Sequence, residues 1–279
     1  MRQRGLRGGI GRVGAYGVMA VCVVTTLFPL IWMVSGALKS GQEFYSNIWG
    51  LPQDLTWANF ARAWAEGGLG QKFANSIIVT AGTMAIVLPV TSLAGYALAS
   101  IEFPGRRAVY VYLLLGIMVP FGVIAIPVFT VVVQLGLLNT LPGLILVYSA
   151  QSLPLGVFLM RSFFASIPRE LEEAGLVDGC TLLGAFFRVV LPLAKPGLVT
   201  QLIFTGTTVW NEYFMASILL HREALQTLPL GLVTFTSKNG IEFPELFAAS
   251  AIVTAPLVIL YLIAQRQFIA GLSAGAVKG

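Results

Sequence analysis

Charged side chains are what this sequence has least of. Asp, Glu, Lys and Arg make up 10% of its 279 residues, against about 25% in an ordinary soluble domain. Hydrophobic residues make up 57%, which excludes a water-soluble globule. Histidine occurs once and cysteine twice, too few for a His/Cys metal cluster or a disulfide framework. No catalytic triad is legible, and His221 reads as a solvated loop residue. Nor is there a G-x-x-x-x-G-K-[ST] stretch, so the chain is not expected to hydrolyse ATP by itself. Tandem repeats, low-complexity tracts and linkers to a second domain are missing as well.

What is present are long uncharged runs, at 13–38, 73–101, 108–160 and 246–265. A helix needs about 20 apolar residues to cross a hydrocarbon core of about 30 Å, and each run is long enough. As one helix the third would stretch about 80 Å, so it must double back. The turn is expected in Gln134–Gly143, where Asn, Pro and Gly gather. A further span fits 197–220, interrupted only by Glu212. The expected fold class is therefore an all-α integral membrane protein, one transmembrane domain over 1–279. Its six transmembrane helices fall at about 14–38, 74–99, 108–133, 143–163, 197–220 and 247–268. The first apolar run, 26 residues long, exceeds the 7–15 of a signal-peptide core and is expected to be a retained span. Pro29, Pro89, Pro120, Pro127, Pro154 and Pro256 fall within spans, where neighbouring helices can satisfy the freed carbonyls. The pairs Ala81/Ala85 and Gly95/Ala99 have the small-residue spacing that permits close helix packing.

Basic residues retained on the cytoplasmic side fix orientation. With both termini inside, inner segments hold twelve of the seventeen Lys and Arg and outer segments five. The net charge of +5 is then a topology signal and implies membrane lipid, not nucleic acid, as surroundings. Cys22 falls in the first span and Cys180 in a cytoplasmic loop, so a disulfide between them is excluded by topology.

The same orientation places 164–196, between spans four and five, in the cytoplasm. Glu170-Leu-Glu-Glu-Ala-Gly-Leu-Val-Asp-Gly179 holds four of the twelve acidic residues of the chain. Ser166 followed by Pro168 and carboxylates reads as a capped helix start. Asp178-Gly179 reads as its stop. Leu182, Leu183, Phe186, Phe187 and Val190 form the apolar seam of a second helix, ended by Pro192 and Pro196. On residues alone this helix–turn–helix is either a docking element for a partner with a basic-rimmed groove or a solvated loop whose seam rests on the bundle.

Glu173-Ala174-Gly175-x-x-x-Gly179, nine residues, then Val189-x-Leu191-Pro192 closely resembles the "EAA" loop of ABC importer permeases. That pattern is Glu-Ala-Ala, three residues, Gly, nine residues, Ile-x-Leu-Pro. Gly175 stands for the second alanine and Val189 for isoleucine. The stretches NSIIVT (75–80), GYALASIEFPGRR (95–107), VWNEYFMA (209–216) and GLSAGAVKG (271–279) extend the resemblance along the chain. They point to the carbohydrate-importer branch, and within it to the smaller permease of the maltose-type heterodimer. The resemblance implies six spans in a bacterial or archaeal cytoplasmic membrane, with the acidic loop as a coupling helix seated on an ATPase. By position, Glu172, Glu173, Ala174, Gly175, Asp178, Gly179, Leu191 and Pro192 would serve that coupling. Gly275, Lys278 and Gly279 of the tail would reach the ATPase dimer. Implied partners are a second homologous permease, two cytoplasmic ATPase subunits and an extracytoplasmic solute-binding protein. No cofactor is expected on this chain, ATP and Mg being expected on the ATPase.

Trp210, Asn211, Glu212 and Tyr213 lie in span five. An intramembrane carboxylate generally faces a partner or a water-filled cavity, and aromatic and amide groups suit a sugar, so these four are the expected solute contacts. Interfacial preference of Trp and Tyr explains the same residues without a ligand. The competing functional class is an ion-coupled secondary transporter, which usually places ionisable or unwound elements near the midplane in repeated halves. Neither is clear in this sequence. The residues leave the solute open among maltodextrins, other oligosaccharides and polyol phosphates.

Overall fold

The computed structural model describes residues 3–65, 67–236 and 242–276. In chain order its helices are α1 (Gln3–Ala37), α2 (Gly41–Ser46), α3 (Ala58–Ala65), α4 (Leu69–Ser100), α5 (Arg106–Met118), α6 (Ala125–Gln134) and α7 (Leu141–Phe164). Then follow α8 (Arg169–Val177), α9 (Leu182–Ala185), a π-helical turn (Phe186–Val190), α10 (Leu191–Leu193), α11 (Lys195–Trp210), α12 (Phe214–Leu219), α13 (Leu228–Leu232) and α14 (Phe243–Ala276). No strand occurs among the described residues. The all-α class stands.

Among the described residues four helices are long and apolar enough to cross a membrane: Gly14–Ala37, Leu69–Ser100, Leu141–Phe164 and Phe243–Ile263. The number reaches six if each of two bent pairs is one span, Arg106–Met118 with Phe121–Gln134 and Leu182–Leu193 with Lys195–Trp210. The first bend falls inside the span expected at 108–133; the second, at Ala194, precedes the span expected at 197–220. The first turns by 91°. Pro120 lacks a helical N–H and holds Val119 in the extended region (φ −81°, ψ 114°), so α5 stops one residue earlier. The span expected at 197–220 is interrupted elsewhere: α11 is about 24 Å long and ends at Trp210. The chain resumes as α12 after a break that Glu212 creates, as described below.

Packing divides the chain into two compact units, Met1–Leu69 with Leu232–Thr254 and Gly70–Gly231 with Ala255–Gly279. In the first unit Lys39, one of the five basic residues the sequence assigns to outer segments, is wholly buried. Its Nζ donates to the carbonyls of Asn47 (2.5 Å) and Gly50 (2.7 Å), so the ammonium ties down the loop after α2. Buried Asn59 of α3 donates to the carbonyls of Ala37 and Lys39, both at 2.7 Å. Arg62 of α3 pairs with Glu245 of α14. Phe44, Phe243, Phe247 and Trp32 form the aromatic core of this unit, with ring centroids 4.9–5.6 Å apart for Trp32–Phe247 and Phe44–Phe243.

The second unit has one core around Val79, Leu144, Tyr148, Met215 and Leu219, and another around Tyr96, Met160, Phe164, Phe186 and Val190. Gly95 lets α4 cross α7 backbone to backbone: a Cβ there would lie 2.8 Å from the Arg161 nitrogen and the Met160 Cβ. Ala99 is buried beside the same crossing, whereas Ala81 and Ala85 face outward. Only the Gly95/Ala99 pair therefore packs a helix of this chain. Asn75 and Ser76, from NSIIVT, hold the segment before α13. The Asn75 amide donates to the carbonyls of Ala224 and Gln226, both at 2.9 Å, and the Ser76 hydroxyl accepts from the Leu228 amide at 2.8 Å.

Candidate functional site

The acidic loop folds as the helix–turn–helix its residues suggested, with different punctuation. Ser166 does not cap α8; its hydroxyl turns back and donates to the Phe163 carbonyl at 2.7 Å. Pro168 holds the N-cap position and makes no side-chain cap, leaving Glu170 and Glu172 in the first turn to meet the exposed amides. At the other end Gly179 adopts φ +88°. The Cys180 amide donates to the Gly175 carbonyl and the Gly179 amide to the Leu176 carbonyl, both at 3.0 Å. This pair of bonds is the Schellman closure. Thr181, overlooked in the sequence, then caps α9 by accepting from the Gly184 amide at 3.1 Å.

The apolar seam divides between two sides. Phe186 and Val190 are buried against Tyr96, Met160 and Phe164. Leu183 and Phe187 point outward, together with Val177, which is 87% exposed. The π-helical turn makes this division, because its extra residue rotates the helix face, and it comes just before Pro192, whose ring and missing N–H would disrupt a regular α-turn there. Hence Pro192 does not end the second helix as expected; the helix runs on to Leu193. Leu191 packs against the Phe186 cluster and Pro192 is exposed.

The predicted coupling residues also separate. Glu173, Ala174, Asp178 and Gly179 lie on the exposed side. Gly175 is buried, and a Cβ on it would stand 3.1 Å from Val189 Cγ2. The two departures from the family pattern, glycine for alanine and valine for isoleucine, thus touch one another. Glu172 turns inward and accepts a hydrogen bond from the Tyr96 hydroxyl of α4.

The residues expected to meet solute are not brought together. Trp210 is buried, its ring edge-on to Phe73 at 5.7 Å, while Asn211 and Tyr213 are exposed. Glu212 is engaged internally: its oxygens accept from the Met215 amide (2.9 Å), the Ala216 amide (3.1 Å) and the Tyr148 hydroxyl. By accepting from the Met215 and Ala216 amides the carboxylate stands in for the Asn211 and Glu212 carbonyls that a continuous helix would use, and the span is broken at 211–213. Beside α11 the second unit opens a groove of about 910 Å³ whose lining includes Pro120, Val128, Gln151, Pro154 and Phe204. Gln201 also borders it, buried over Gly156 and bonded to Thr205 at 3.4 Å. One glutamine four residues before a threonine in an apolar helix is too faint a signal to single out in a sequence. Of the tail, Gly275 lies on α14, while Lys278 and Gly279 are outside the described residues. Among the described residues no group of three His, Cys, Asp or Glu could hold a metal ion.

Comparison with known proteins agrees with this geometry. The chain is 38% identical over 270 residues to the probable ABC transporter permease protein YurM of Bacillus subtilis, covering 97% of this chain and 90% of that protein. It is 36% identical to the diacetylchitobiose uptake system permease DasC of Streptomyces coelicolor, covering 96% and 98%. Its fold matches a chain of a bacterial ABC transporter for import of alginate, with a TM-score of 0.82 at 24% identity over 96% and 98% of the two chains. Residues 88–273 match the model of one family, and the chain belongs to it: the binding-protein-dependent transport system inner membrane components.

Proposed function

We propose that this permease subunit of an ABC importer serves oligosaccharide uptake, as the smaller of two homologous permeases, and that loop 164–196 couples it to a separate cytoplasmic ATPase. The observation that carries the coupling is the outward side of the helix–turn–helix. Val177, Leu183 and Phe187 are exposed beside Glu173 and Asp178 on helices held rigidly by the Schellman turn and the Thr181 cap. An apolar and acidic helical face of this kind fits a groove with an apolar floor and a basic rim. That favours the docking reading over a solvated loop, whose apolar residues would turn inward. Sugar as the cargo is supported by the diacetylchitobiose relative.

In this reading the nucleotide and Mg are held by the ATPase, and this chain supplies the mechanical element. Closure of the ATPase moves the docked α8 and reorients the spans. The coupling works because nucleotide favours one of the two arrangements over the other; equal affinity would shift nothing. Glu173 is exposed in the isolated chain and becomes buried only on docking, against a basic residue of the rim. Losing one partner of such a buried pair costs about 3–5 kcal/mol. Both termini and the loop are cytoplasmic, and a solute-binding protein delivers cargo from the other side. Asn211 and Tyr213, exposed at the break in span five, are the solute contacts we retain from the original four.

The test is cysteine cross-linking in native membranes, with Cys180→Ser and Cys22→Ser as background. Cysteines at positions 173 and 179 are expected to capture an ATPase subunit, and Glu173→Ala is expected to lower uptake while the permease stays in the membrane. No ATPase adduct at either position, with normal uptake by Glu173→Ala, would refute the coupling. Binding measurements across an oligosaccharide panel, using the solute-binding protein of the same system, would identify the cargo; binding to none of the panel would refute the sugar assignment.

A further inference from the structure

The coupling loop meets the spans in two ways. Phe186 and Val190 pack among Tyr96, Met160 and Phe164, with Tyr96 to Phe186 and Phe164 ring centroids 4.8 and 5.9 Å apart. Apolar contacts of this kind are not directional and let one helix slide over another. The second connection is polar: the Tyr96 hydroxyl donates to Glu172. A hydrogen bond to a carboxylate is short, strong and directional, and this one starts from a side chain only 3% exposed. A small cavity of about 150 Å³ lies alongside, bordered by Ser100, Arg169 and Glu172, so packing alone does not fix α8 against α4 there.

The end of α4 that receives this bond is itself anchored. Arg106 donates to the carbonyls of Leu98 (2.9 Å) and Ala99 (3.0 Å), and Arg161 to the carbonyl of Leu98 (3.2 Å). Arg161 also lies over the Tyr110 ring, 4.1 Å from its centroid. The last carbonyls of α4 are thus held by side chains from α5 and α7, one turn beyond Tyr96. A displacement entering α4 at Tyr96 arrives at a junction of three spanning elements.

We infer that the Glu172–Tyr96 bond is the tie through which movement of α8 reaches α4, which makes Glu172 and Tyr96 positioning residues for coupling, separate from the docking face around Glu173. The inference rests on the proposed docking of this loop to an ATPase.

The experiment uses the complete importer in lipid vesicles, with spin labels at Glu170 on α8 and Ile78 on α4 in the cysteine-free background. Distances are recorded without nucleotide and after trapping with ATP and vanadate. With the tie intact, α8 and α4 move together, and the distance distribution is expected to stay the same on trapping. Tyr96→Phe keeps the ring packing and removes only the hydroxyl; its distribution is expected to shift or broaden on trapping. Glu172→Gln, which keeps an acceptor, is expected to behave as the parent does. ATP hydrolysed per solute is expected to rise in Tyr96→Phe by about fivefold, the low end of coupling between linked sites. Tyr96→Phe is expected to leave ATPase capture at position 173 untouched. A Tyr96→Phe importer that captures the ATPase and traps with the parent distribution would overturn the tie while leaving docking intact. Failure of capture at position 173 in the parent would overturn the docking reading and the tie's role with it.

Discussion

Gly175 and Val189 illustrate how far a single side chain can be followed here. Alanine in the middle of a helix is favoured over glycine by about 1 kcal/mol, yet a methyl at 175 would press on Val189 Cγ2 at 3.1 Å. The two effects oppose, so Gly175→Ala alone is expected to change detergent-solubilised stability by less than about 1 kcal/mol. Adding Val189→Ile brings a further methyl to the same contact, and the double variant is expected to fall below the sum of the singles, read from thermal unfolding of all four combinations. Glu212 carries a larger effect. Glu212→Ala leaves two amides and the buried Tyr148 hydroxyl without their acceptor, at about 1–3 kcal/mol for each group left unsatisfied. Its melting temperature is expected to drop clearly, and Glu212→Gln, which still accepts, to drop less. A drop of equal size in both would mean that the negative charge, not the cap, is what the site requires.

Among the elements, the uncharged runs and the acidic loop were legible because each is a property of composition and spacing. The breaks inside spans were not. Pro120 stops α5, whereas Pro89, Pro154 and Pro256 lie within unbroken helices, and no local rule distinguishes them. The break at 211–213 depends on a carboxylate whose third donor, Tyr148, is 64 residues away. Similarly, Glu172 and Glu173 are neighbours in sequence and part company only because Tyr96 waits on one side of α8. Thr181 was legible in principle as a threonine ahead of a short helix. Thr181→Ala is expected to cost about 1 kcal/mol, seen as faster amide exchange at Gly184 and through α9, with α4 and α7 unaffected. Slowed or unchanged exchange there would remove the cap from the account.

For the molecule as a whole, the charge distribution assigns sides that can be checked directly. Leu51, in the segment after α2 that the basic residues put outside, is strongly exposed, as is Val177 in loop 164–196. In spheroplasts a membrane-impermeant maleimide is expected to label Leu51→Cys and to spare Val177→Cys until the membrane is opened, both in the cysteine-free background. The reverse pattern would invert the topology and place the coupling loop away from any cytoplasmic engine.

The crossing at Gly95 has a mechanical consequence. At Gly95 no α4 side chain stands between the two backbones, so at that point there is little to compress. A push entering α4 near this crossing is expected to reach α7 as well. Compliance has to be found elsewhere, at joints where helical bonding is already interrupted: Val119–Pro120, and the three residues Asn211–Tyr213 where Glu212 has replaced backbone by side chain.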